Sequence, residues 1–261
     1  MDTNSSVLVS GGLDSYICWY LFCSGATPVF VDIGQSYIEK ERTAVQNIAK
    51  SINAKYKKEQ QPIILTKKET IYPKLFTLVE HKGSQIGKYE DKKSGIIPSR
   101  NAELILCGSN YGKDIYLGVI KDEINSDKSP EFISAMEDVL NISNRKQYWT
   151  EGTTFSIKTP TAKYNKTELV KMYLDKGGSV EHLHLTVSCY SPTDFHFPNI
   201  LHCGSCPSCF KRYVAFKNNG LSFETLNDPV VWASENGIIE KCKDGTYADG
   251  RKEEILKALG K

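Results

Sequence analysis

The chain has 261 residues, with 33 basic and 31 acidic side chains and a formal net charge of +2. This near balance gives no electrostatic reason to expect a nucleic-acid partner. No apolar run reaches the 18 residues of a membrane span, and the polar start, MDTNSS, lacks the features of a signal peptide. The sequence therefore predicts a cytoplasmic protein that makes no membrane contact.

Predicted strands and helices alternate along the first two thirds of the chain. An apolar run at 6–10 predicts a buried strand, and a helix follows a pair of glycines at 11 and 12. The remaining periodic segments predict strands at 28–34, 62–65, 114–120 and 155–160, and helices at 37–53, 100–110, 130–141 and 165–177. This alternation predicts an α/β fold, a Rossmann-like parallel sheet with helices on both faces.

Two parts of the chain depart from this alternation. Residues 66–96 are polar and irregular, which predicts a lid or a long loop. A cysteine-rich segment follows the last predicted strand and helix, and a less regular tail ends in a Lys- and Glu-rich helix at 250–259. The predicted organisation is an α/β domain, a cysteine segment with its following helix, and a tail of unassigned role, at 1–180, 181–225 and 226–261.

The glycine turn, in the stretch VLVSGGLDS, predicts an anion site. A strand, a tight turn and a helix place backbone N–H groups at a helix N-terminus, where the helix dipole favours negative charge. Gly11 and Gly12 allow phosphate oxygens to approach the backbone, and Ser10 and Ser15 add hydroxyl donors. Asp14 can cap the helix or help to hold the Mg²⁺ that accompanies a polyphosphate. The turn matches neither the lysine-containing phosphate loop nor the dinucleotide fingerprint.

Four of the eight cysteines form a cluster with the spacing C-x13-C-x2-C-x2-C. Four thiolates at these intervals can surround a tetrahedral Zn²⁺, and such a closed site is structural rather than catalytic. The sequence thus predicts metal ligation by Cys189, Cys203, Cys206 and Cys209. His196 and His202 lie in the same segment and could replace one ligand, but the favoured prediction for each is a loop or surface position. A redox role for the C-x2-C pairs is the weaker alternative. The other cysteines, Cys18, Cys23, Cys107 and Cys242, are predicted to be small buried side chains.

The motif S-G-G-x-D-S directly after a strand resembles the PP-loop of the ATP pyrophosphatase superfamily, which has the adenine nucleotide α-hydrolase fold. In that superfamily the loop holds the β,γ-diphosphate as a leaving group while a nucleophile attacks the α-phosphorus. The resemblance implies an ATP-binding α/β domain whose loop contacts the nucleotide through Val9, Ser10, Gly11, Gly12, Leu13, Asp14 and Ser15.

Further segments between residues 6 and 216 make the chain similar to the 7-cyano-7-deazaguanine synthase (QueC) family. They are VDIGQ (31–35), IPSRNAELI (97–105), SPEFISAM (129–136), KTPTAKYNKTELVK (158–171), LTVSCY (185–190) and CGSCPSCFKRYVAF (203–216). The resemblance implies nucleotide contacts for Asp32, Gln35, Arg100 and Asn101, and substrate contacts for Asp127, Glu131 and Lys166. It also implies a catalytic set of Ser10, Asp14, Ser15, Arg100 and Lys166.

The chemistry implied by the resemblance uses ATP, Mg²⁺ and a structural Zn²⁺. Enzymes of this family adenylate the carboxylate of 7-carboxy-7-deazaguanine, and ammonia then displaces AMP to give an amide. A second ATP-driven round dehydrates the amide to the nitrile. Family members are often homodimers, so the resemblance allows a homodimer, although no periodic pattern in this sequence indicates an interface.

Several positions depart from the family pattern and leave alternatives open. Lys128 and Ser129 stand where the family has Cys and Arg for the deazaguanine, Lys163 replaces an Asp, and Val187 replaces a Trp. The motifs expected to bind the deazaguanine acceptor therefore match the family pattern less well than the motifs expected to bind the nucleotide. One alternative is a QueC-like protein of an antiphage system, similar to one type of CBASS operon, which transfers the acyl group to the amine of a partner protein. The others are tRNA adenylation or thiolation and a non-catalytic nucleotide-binding module.

Overall fold

Five parallel strands form the central sheet of the protein. The computed structural model describes residues 4–34, 37–56, 61–66, 99–124, 126–190, 195–196, 199–200, 202–247 and 251–260. The strands are β1 (Ser5–Leu8), β2 (Thr27–Asp32), β3 (Ile63–Thr66), β4 (Asp114–Tyr116) and β5 (Ser156–Lys158), in the order β3-β2-β1-β4-β5. Apart from its first residue, the predicted lid or loop at 66–96 lies outside the described residues.

Helices connect the strands and cover the sheet. In the described part of the chain they are α1 (Leu13–Phe22), α2 (Ile38–Tyr56), α3 (Arg100–Ser109), α4 (Pro130–Ser143), α5 (Lys166–Asp175), α6 (Val180–His184), α7 (Pro207–Asn218), α8 (Pro229–Glu235), α9 (Ile238–Asp244) and α10 (Lys252–Ala258). A two-stranded antiparallel hairpin, β6 (Phe195–His196) and β7 (Asn199–Ile200), lies within the cysteine segment. None of these helices is both long and apolar enough to cross a bilayer.

Side chains alternate across the sheet, so each face has its own core. Val7 and Phe30 belong to the cluster that includes residues of α1, α2 and α5, while Leu8 and Val29 pack with residues of α3 and α4. This follows from the two-residue period of a strand, which sends successive side chains to opposite faces. The predicted Rossmann-like parallel sheet with helices on both faces is confirmed.

The C-terminal tail is more regular than the sequence indicated. Helices α8, α9 and α10 pack on α7 around a third apolar cluster that includes Phe210, Val214, Trp232 and Ile255. Because Ala215 and Phe216 on the same α7 helix belong to the main core, α7 joins the tail to the sheet domain. The prediction of a less regular tail was therefore wrong for 229–244, where short helices begin at Pro229 and Ile238.

Most predicted element boundaries agree with the structure to within a few residues. The helix predicted at 165–177 ends as expected at a left-handed Gly177, with the Gly178 N–H donating to Tyr173 O at 2.9 Å. The largest shortfall is the strand predicted at 114–120, which ends at Tyr116. The four cysteines predicted to be small core residues, Cys18, Cys23, Cys107 and Cys242, are buried.

The strand order locates the most favourable ligand crevice. Going along the chain, β1 is followed on one side by β2 and β3, and the chain then returns to place β4 and β5 on the other side. In open parallel sheets, ligands bind outside the carboxyl ends of the strands at this reversal point. The glycine turn follows β1, and residues 117–119 follow β4, so both lie at this crevice.

Candidate active site and thiol cluster

The glycine turn between β1 and α1 has the compact geometry that its sequence predicts. Gly11 has a left-handed φ of +70°, and a Cβ at this position would lie 2.7 Å from the carbonyl oxygen of Glu41. Gly12 caps α1, and its carbonyl accepts a hydrogen bond from Ser15 Oγ at 3.1 Å. The Ser10 N–H in turn donates to Ser15 Oγ at 3.3 Å. The loop is therefore braced internally before any ligand binds.

Gly118, after β4, allows the two sides of the crevice to approach each other. A Cβ on Gly118 would lie 2.8 Å from both the backbone nitrogen and the Cα of Ser15. Real Cβ atoms do not occupy such space, so only glycine lets this backbone pass the start of α1. Sequence reasoning missed this residue, although a glycine inside a strand-like run, YLGVI, is a known signal of close backbone approach.

A cavity of about 220 Å³ opens beside the glycine turn. Its floor is formed by the ends of β1 and β2 and by the residues that follow β4, and it includes Leu8, Val31 and Leu117. Ser10 and Ser15 of the turn form part of its wall, together with Arg100 and Asn101 at the start of α3. The structure thus brings together four of the predicted site residues from two distant parts of the sequence.

Two tyrosines that the sequence did not single out also line this cavity. Tyr37 and Tyr190 have ring centroids 5.1 Å apart, and burial raises the pKa of both phenols, so both remain neutral hydrogen-bond donors. The nearby Arg100 Nε is buried without a hydrogen-bond partner among the described residues. An apolar floor, an aromatic pair and an unsatisfied guanidinium N–H are suitable for a planar, polar heterocycle with an anionic group.

Lys166 is brought to the glycine turn from 152 residues away. It is the first residue of α5, is buried, and donates from Nζ to Asp14 Oδ1 at 2.6 Å. The capping box of Asn165 and Glu168 fixes the start of this helix. Both Asp14 oxygens contact the ammonium group, so the structure uses Asp14 as the partner of Lys166.

Glu123 lies between two lysines at the edge of the same crevice. Its carboxylate accepts from Lys128 Nζ at 2.8 Å and lies 3.4 Å from Lys211 Nζ. Burial alone would raise the pKa of Glu123, but Lys128, Lys211 and Lys166 together hold it well below the usual value. The group is therefore ionised at neutral pH, and this triad carries a net charge of +1. No sequence motif pointed to it.

Several predicted contact residues lie at the crevice but have other partners. Asp32 is buried, accepts from Arg42 and from the Gly34 N–H, both at 2.9 Å, and does not line the cavity. Asp127 accepts from the Asn101 N–H at 3.0 Å, which fixes the start of α3. Glu131 is exposed in the first turn of α4.

The remaining predicted contacts belong to the turn and its neighbours. Val9 lines the cavity, whereas the Leu13 side chain is in the core. Gln35 lies outside the described residues.

The four clustered thiols have the spacing that tetrahedral coordination of a metal ion requires. The sulfur atoms of Cys189, Cys203, Cys206 and Cys209 are all within 4.8 Å of one another, and all four residues are buried. The Sγ atoms of Cys203 and Cys209 are 3.9 Å apart. Tetrahedral Zn–S bonds of about 2.3 Å would place sulfurs about 3.8 Å apart. The four residues therefore fit a metal ion.

Charges around the thiols favour a negatively charged metal–thiolate centre. Arg212 is fully buried next to Cys209, and burial lowers its pKa to about 10, which leaves it protonated at neutral pH. It donates to Thr186 Oγ1 at 2.6 Å and to Leu183 O at 2.7 Å. Hydrogen bonds among the thiols lower the pKa of Cys189 and raise those of Cys203 and Cys209, and the buried Lys40 favours the Cys189 thiolate. Two buried cations thus balance the charge of −2 expected for four thiolates around a divalent ion.

His202 is not part of this ligand group. Burial, with a smaller effect of Arg212, lowers its pKa to about 3, so the ring is neutral. Its Nε2 accepts from the Ser188 N–H at 3.1 Å. Among the described residues, only the four cysteines form a group that could hold a metal ion.

The fold and the loop together define a nucleotide-binding α/β protein of the PP-loop class. The family described as queuosine biosynthesis protein QueC matches residues 4–220. The chain belongs to this family.

Curated relatives agree with this assignment along nearly their whole length. The 7-cyano-7-deazaguanine synthase of Methanospirillum hungatei is 30% identical over 239 residues, covering 86% of this chain and 97% of that protein. The synthase of Methanococcus aeolicus is 29% identical over 236 residues, covering 84% and 96%. A solved structure, the U34-tRNA thiolase NcsA from Methanococcus maripaludis, overlaps 98% of this chain and 71% of its own, at 15% identity and a TM-score of 0.35. A TM-score of 0.35 is too low to carry an inference.

Proposed function

We propose that this protein adenylates the carboxylate of 7-carboxy-7-deazaguanine with ATP and passes the acyl group to an amine, with ammonia as the acceptor that leads to 7-cyano-7-deazaguanine. One observation supports this most directly. In a chain of the QueC family, the glycine turn lies between the cavity beside β1 and β4 and a smaller cavity lined by Lys166, and Ser10 lines both. This arrangement supports the activity of the relatives as the function of this chain.

The main cavity and the glycine turn suit the two ends of ATP. A volume of about 220 Å³, an apolar floor and the pair of Tyr37 and Tyr190 suit the adenosine. The phosphates then extend toward the N–H groups at the start of α1, where the helix dipole and the hydroxyls of Ser10 and Ser15 favour anions. Mg²⁺ would accompany the phosphates and neutralise part of their charge.

The reaction needs no side-chain nucleophile. A carboxylate oxygen of the substrate attacks the α-phosphorus, and the bond from that phosphorus to the β-bridging oxygen breaks, so diphosphate leaves with the electron pair. Lys166 and Arg100 stabilise the negative charge of the transition state. The amine nitrogen then attacks the acyl carbon, loses a proton, and AMP leaves. For the nitrile, the amide oxygen is adenylated in turn, and loss of AMP and two protons completes the C≡N bond.

We assign different roles to the three predicted substrate residues. Lys166 is held by Asp14 beside the turn, and its contact with the substrate carboxylate stays a prediction. Asp127 holds the backbone of Asn101 and acts as a positioning residue. A direct contact from the exposed Glu131 stays a prediction.

Zn²⁺ is the ion that we propose for the thiol cluster. Four buried thiolates leave no open position, so the ion stabilises the start of α7 and takes no part in the chemistry. Free thiols are retained in a reducing compartment, so we also propose a cytoplasmic location.

An isotope experiment tests the central step. The protein is incubated with ATP, Mg²⁺, ammonium and 7-carboxy-7-deazaguanine labelled with ¹⁸O in its carboxylate. Adenylation transfers one ¹⁸O atom into AMP, which mass spectrometry detects, while amide and nitrile are followed in the same samples. Unlabelled AMP would exclude carboxylate adenylation, and no AMP at all would favour a binding module.

A second acceptor is supported by a specific surface. The loop after α4 carries Tyr148, which is fully exposed, and Trp149, which is 78% exposed, and such aromatic pairs are typical of protein interfaces. In addition, Ser129, at the position of a family Arg, accepts from the Phe132 N–H at 3.1 Å and caps α4 instead. These features fit a protein amine as acceptor, as in antiphage conjugation, or a homodimer. A peptide amine in place of ammonium tests the transfer, because an acyl adduct would add a defined mass to the peptide.

A further inference from the structure

A second, smaller cavity of about 110 Å³ lies between the glycine turn and the start of α7. Ser10 lines both this cavity and the main one, so the turn joins them. Its other polar lining residues are Glu41, Glu123, Lys166, Ser188, Tyr190, Ser208 and Lys211. The cavity is too small for a nucleoside, and two carboxylates, Glu41 and Glu123, and two ammonium groups, Lys166 and Lys211, line it.

Two ammonium groups from different helices line this cavity. Lys166 begins α5 and is held by Asp14, whereas Lys211 lies in the second turn of α7 and has its Nζ 3.4 Å from Glu123 Oε1. Lys128 occupies the other oxygen of Glu123 and faces the main cavity. Glu123 therefore holds one lysine toward each cavity, and the triad keeps a net positive charge.

We propose that Lys211 is a catalytic residue that contacts the diphosphate leaving group in this second cavity. The inference rests on the proposed function and adds to it a residue that no motif assigns. When the bond to the α-phosphorus breaks, the electron pair and the negative charge move to the diphosphate. An ammonium group with three N–H donors beside that position stabilises the charge more in the transition state than in bound ATP.

The thiol cluster explains how Lys211 is positioned. Cys206 caps α7, accepting from the Cys209 N–H at 3.4 Å, and Cys209 lies in the first turn. Lys211 follows two residues later, and its neighbour Arg212 is fixed by Thr186 and Leu183. The start of α7, and with it the Lys211 backbone, is therefore held on both sides.

Binding of inorganic diphosphate tests this assignment without requiring turnover. Isothermal titration calorimetry with the full-length protein in Mg²⁺ buffer measures the Kd for diphosphate and, separately, for AMP. We expect Lys211→Ala to weaken diphosphate binding at least about 10-fold and to change the Kd for AMP less than about 2-fold. Lys217→Ala, which removes an exposed lysine from the last turn of the same helix, should change neither value.

Two further variants keep the test decisive. Lys211→Arg should retain most of the diphosphate affinity because it keeps the positive charge. If Lys211→Ala has a non-native circular dichroism spectrum, Lys211→Gln is measured in its place. Diphosphate binding by a folded Lys211→Ala or Lys211→Gln within 2-fold of the wild type would overturn the proposal. If diphosphate binding depends on Lys211 while AMP from the ¹⁸O experiment is unlabelled, the diphosphate site stands and the proposed carboxylate adenylation fails.

Discussion

The ammonium group of Lys166 lies 2.6 Å from Asp14 Oδ1 and joins the first turn of α1 to the first residue of α5. The side chain of Lys166 is 8% exposed and that of Asp14 is 20% exposed. A single ion pair thus connects the glycine turn to a helix that begins 152 residues later in the chain.

Removing the Lys166 charge should reduce both stability and activity. Lys166→Met leaves Asp14 as an uncompensated, largely buried charge, so we expect the free energy of unfolding to fall by about 3 kcal/mol. We also expect AMP formation to fall at least about 100-fold. Urea unfolding and initial rates measure the two effects.

A matched control lies on the same helix. Lys171 pairs with Asp175 at 2.9 Å, but both side chains are more than half exposed. Lys171→Met should therefore cost no more than about 0.5 kcal/mol. Equal losses of unfolding free energy in Lys166→Met and Lys171→Met would contradict a special role for Lys166.

Gly118 should not tolerate even one added methyl group. Gly118→Ala would place a Cβ 2.8 Å from the Ser15 backbone and push apart the walls of the crevice. We expect the Kd for ATP, measured by calorimetry, to rise at least about 10-fold. Gly220→Ala is the control, since its Cβ would meet nothing within 4 Å although φ is +70°. The left-handed backbone conformation of an alanine at this position lowers the free energy of unfolding by about 1 kcal/mol and leaves the Kd for ATP unchanged. Wild-type affinity in Gly118→Ala would contradict the close approach.

The thiol cluster should retain one metal ion per chain. Elemental analysis by mass spectrometry should find about one zinc per protein, and Cys209→Ser should reduce this content and lower the Tm by more than about 10 °C. Cys18→Ala removes a buried thiol outside the cluster and should leave the metal content unchanged. A metal content that does not respond to Cys209→Ser would contradict ligation by this residue.

The ionised Glu123 predicts a specific acid sensitivity. Because its pKa in the folded protein is well below the ordinary value of 4.5, its ionised form stabilises the fold at neutral pH. That contribution is fully present above pH 4.5 and is lost as the pH falls from there through the folded-state pKa. The difference in unfolding free energy between wild type and Glu123→Gln should therefore be constant from about pH 7 to 5 and shrink toward about pH 3.

Glu151→Gln provides the comparison for this pH series. Glu151 pairs with Lys146 at 3.4 Å, but its side chain is 93% exposed. The free energy of unfolding of Glu151→Gln should stay within about 0.5 kcal/mol of the wild-type value at every pH. A Glu123→Gln difference that does not narrow in acid would show that the lysines do not hold this carboxylate ionised.

Local sequence patterns were sufficient wherever the chemistry involves neighbours in the chain. The turn around Gly11 and Gly12 was predictable because a strand, two glycines and a helix specify one local geometry. The close spacing of Cys203, Cys206 and Cys209 likewise indicates ligation by itself. The helices α8 and α9 were missed because each is only seven residues long and depends on packing against its neighbours rather than on its own periodicity.

The sequence alone determined the parallel α/β architecture, the glycine turn and the group of thiols, because periodicity and short spacing act within a few residues. Only the tertiary structure decided which distant residues meet at that turn. Lys166 reaches Asp14, Gly118 passes Ser15, and Lys211 meets Glu123 across separations of 152, about 100 and 88 residues. These contacts follow from the strand order, which a one-dimensional pattern does not encode, because the reversal at β1 brings separate loops to one crevice.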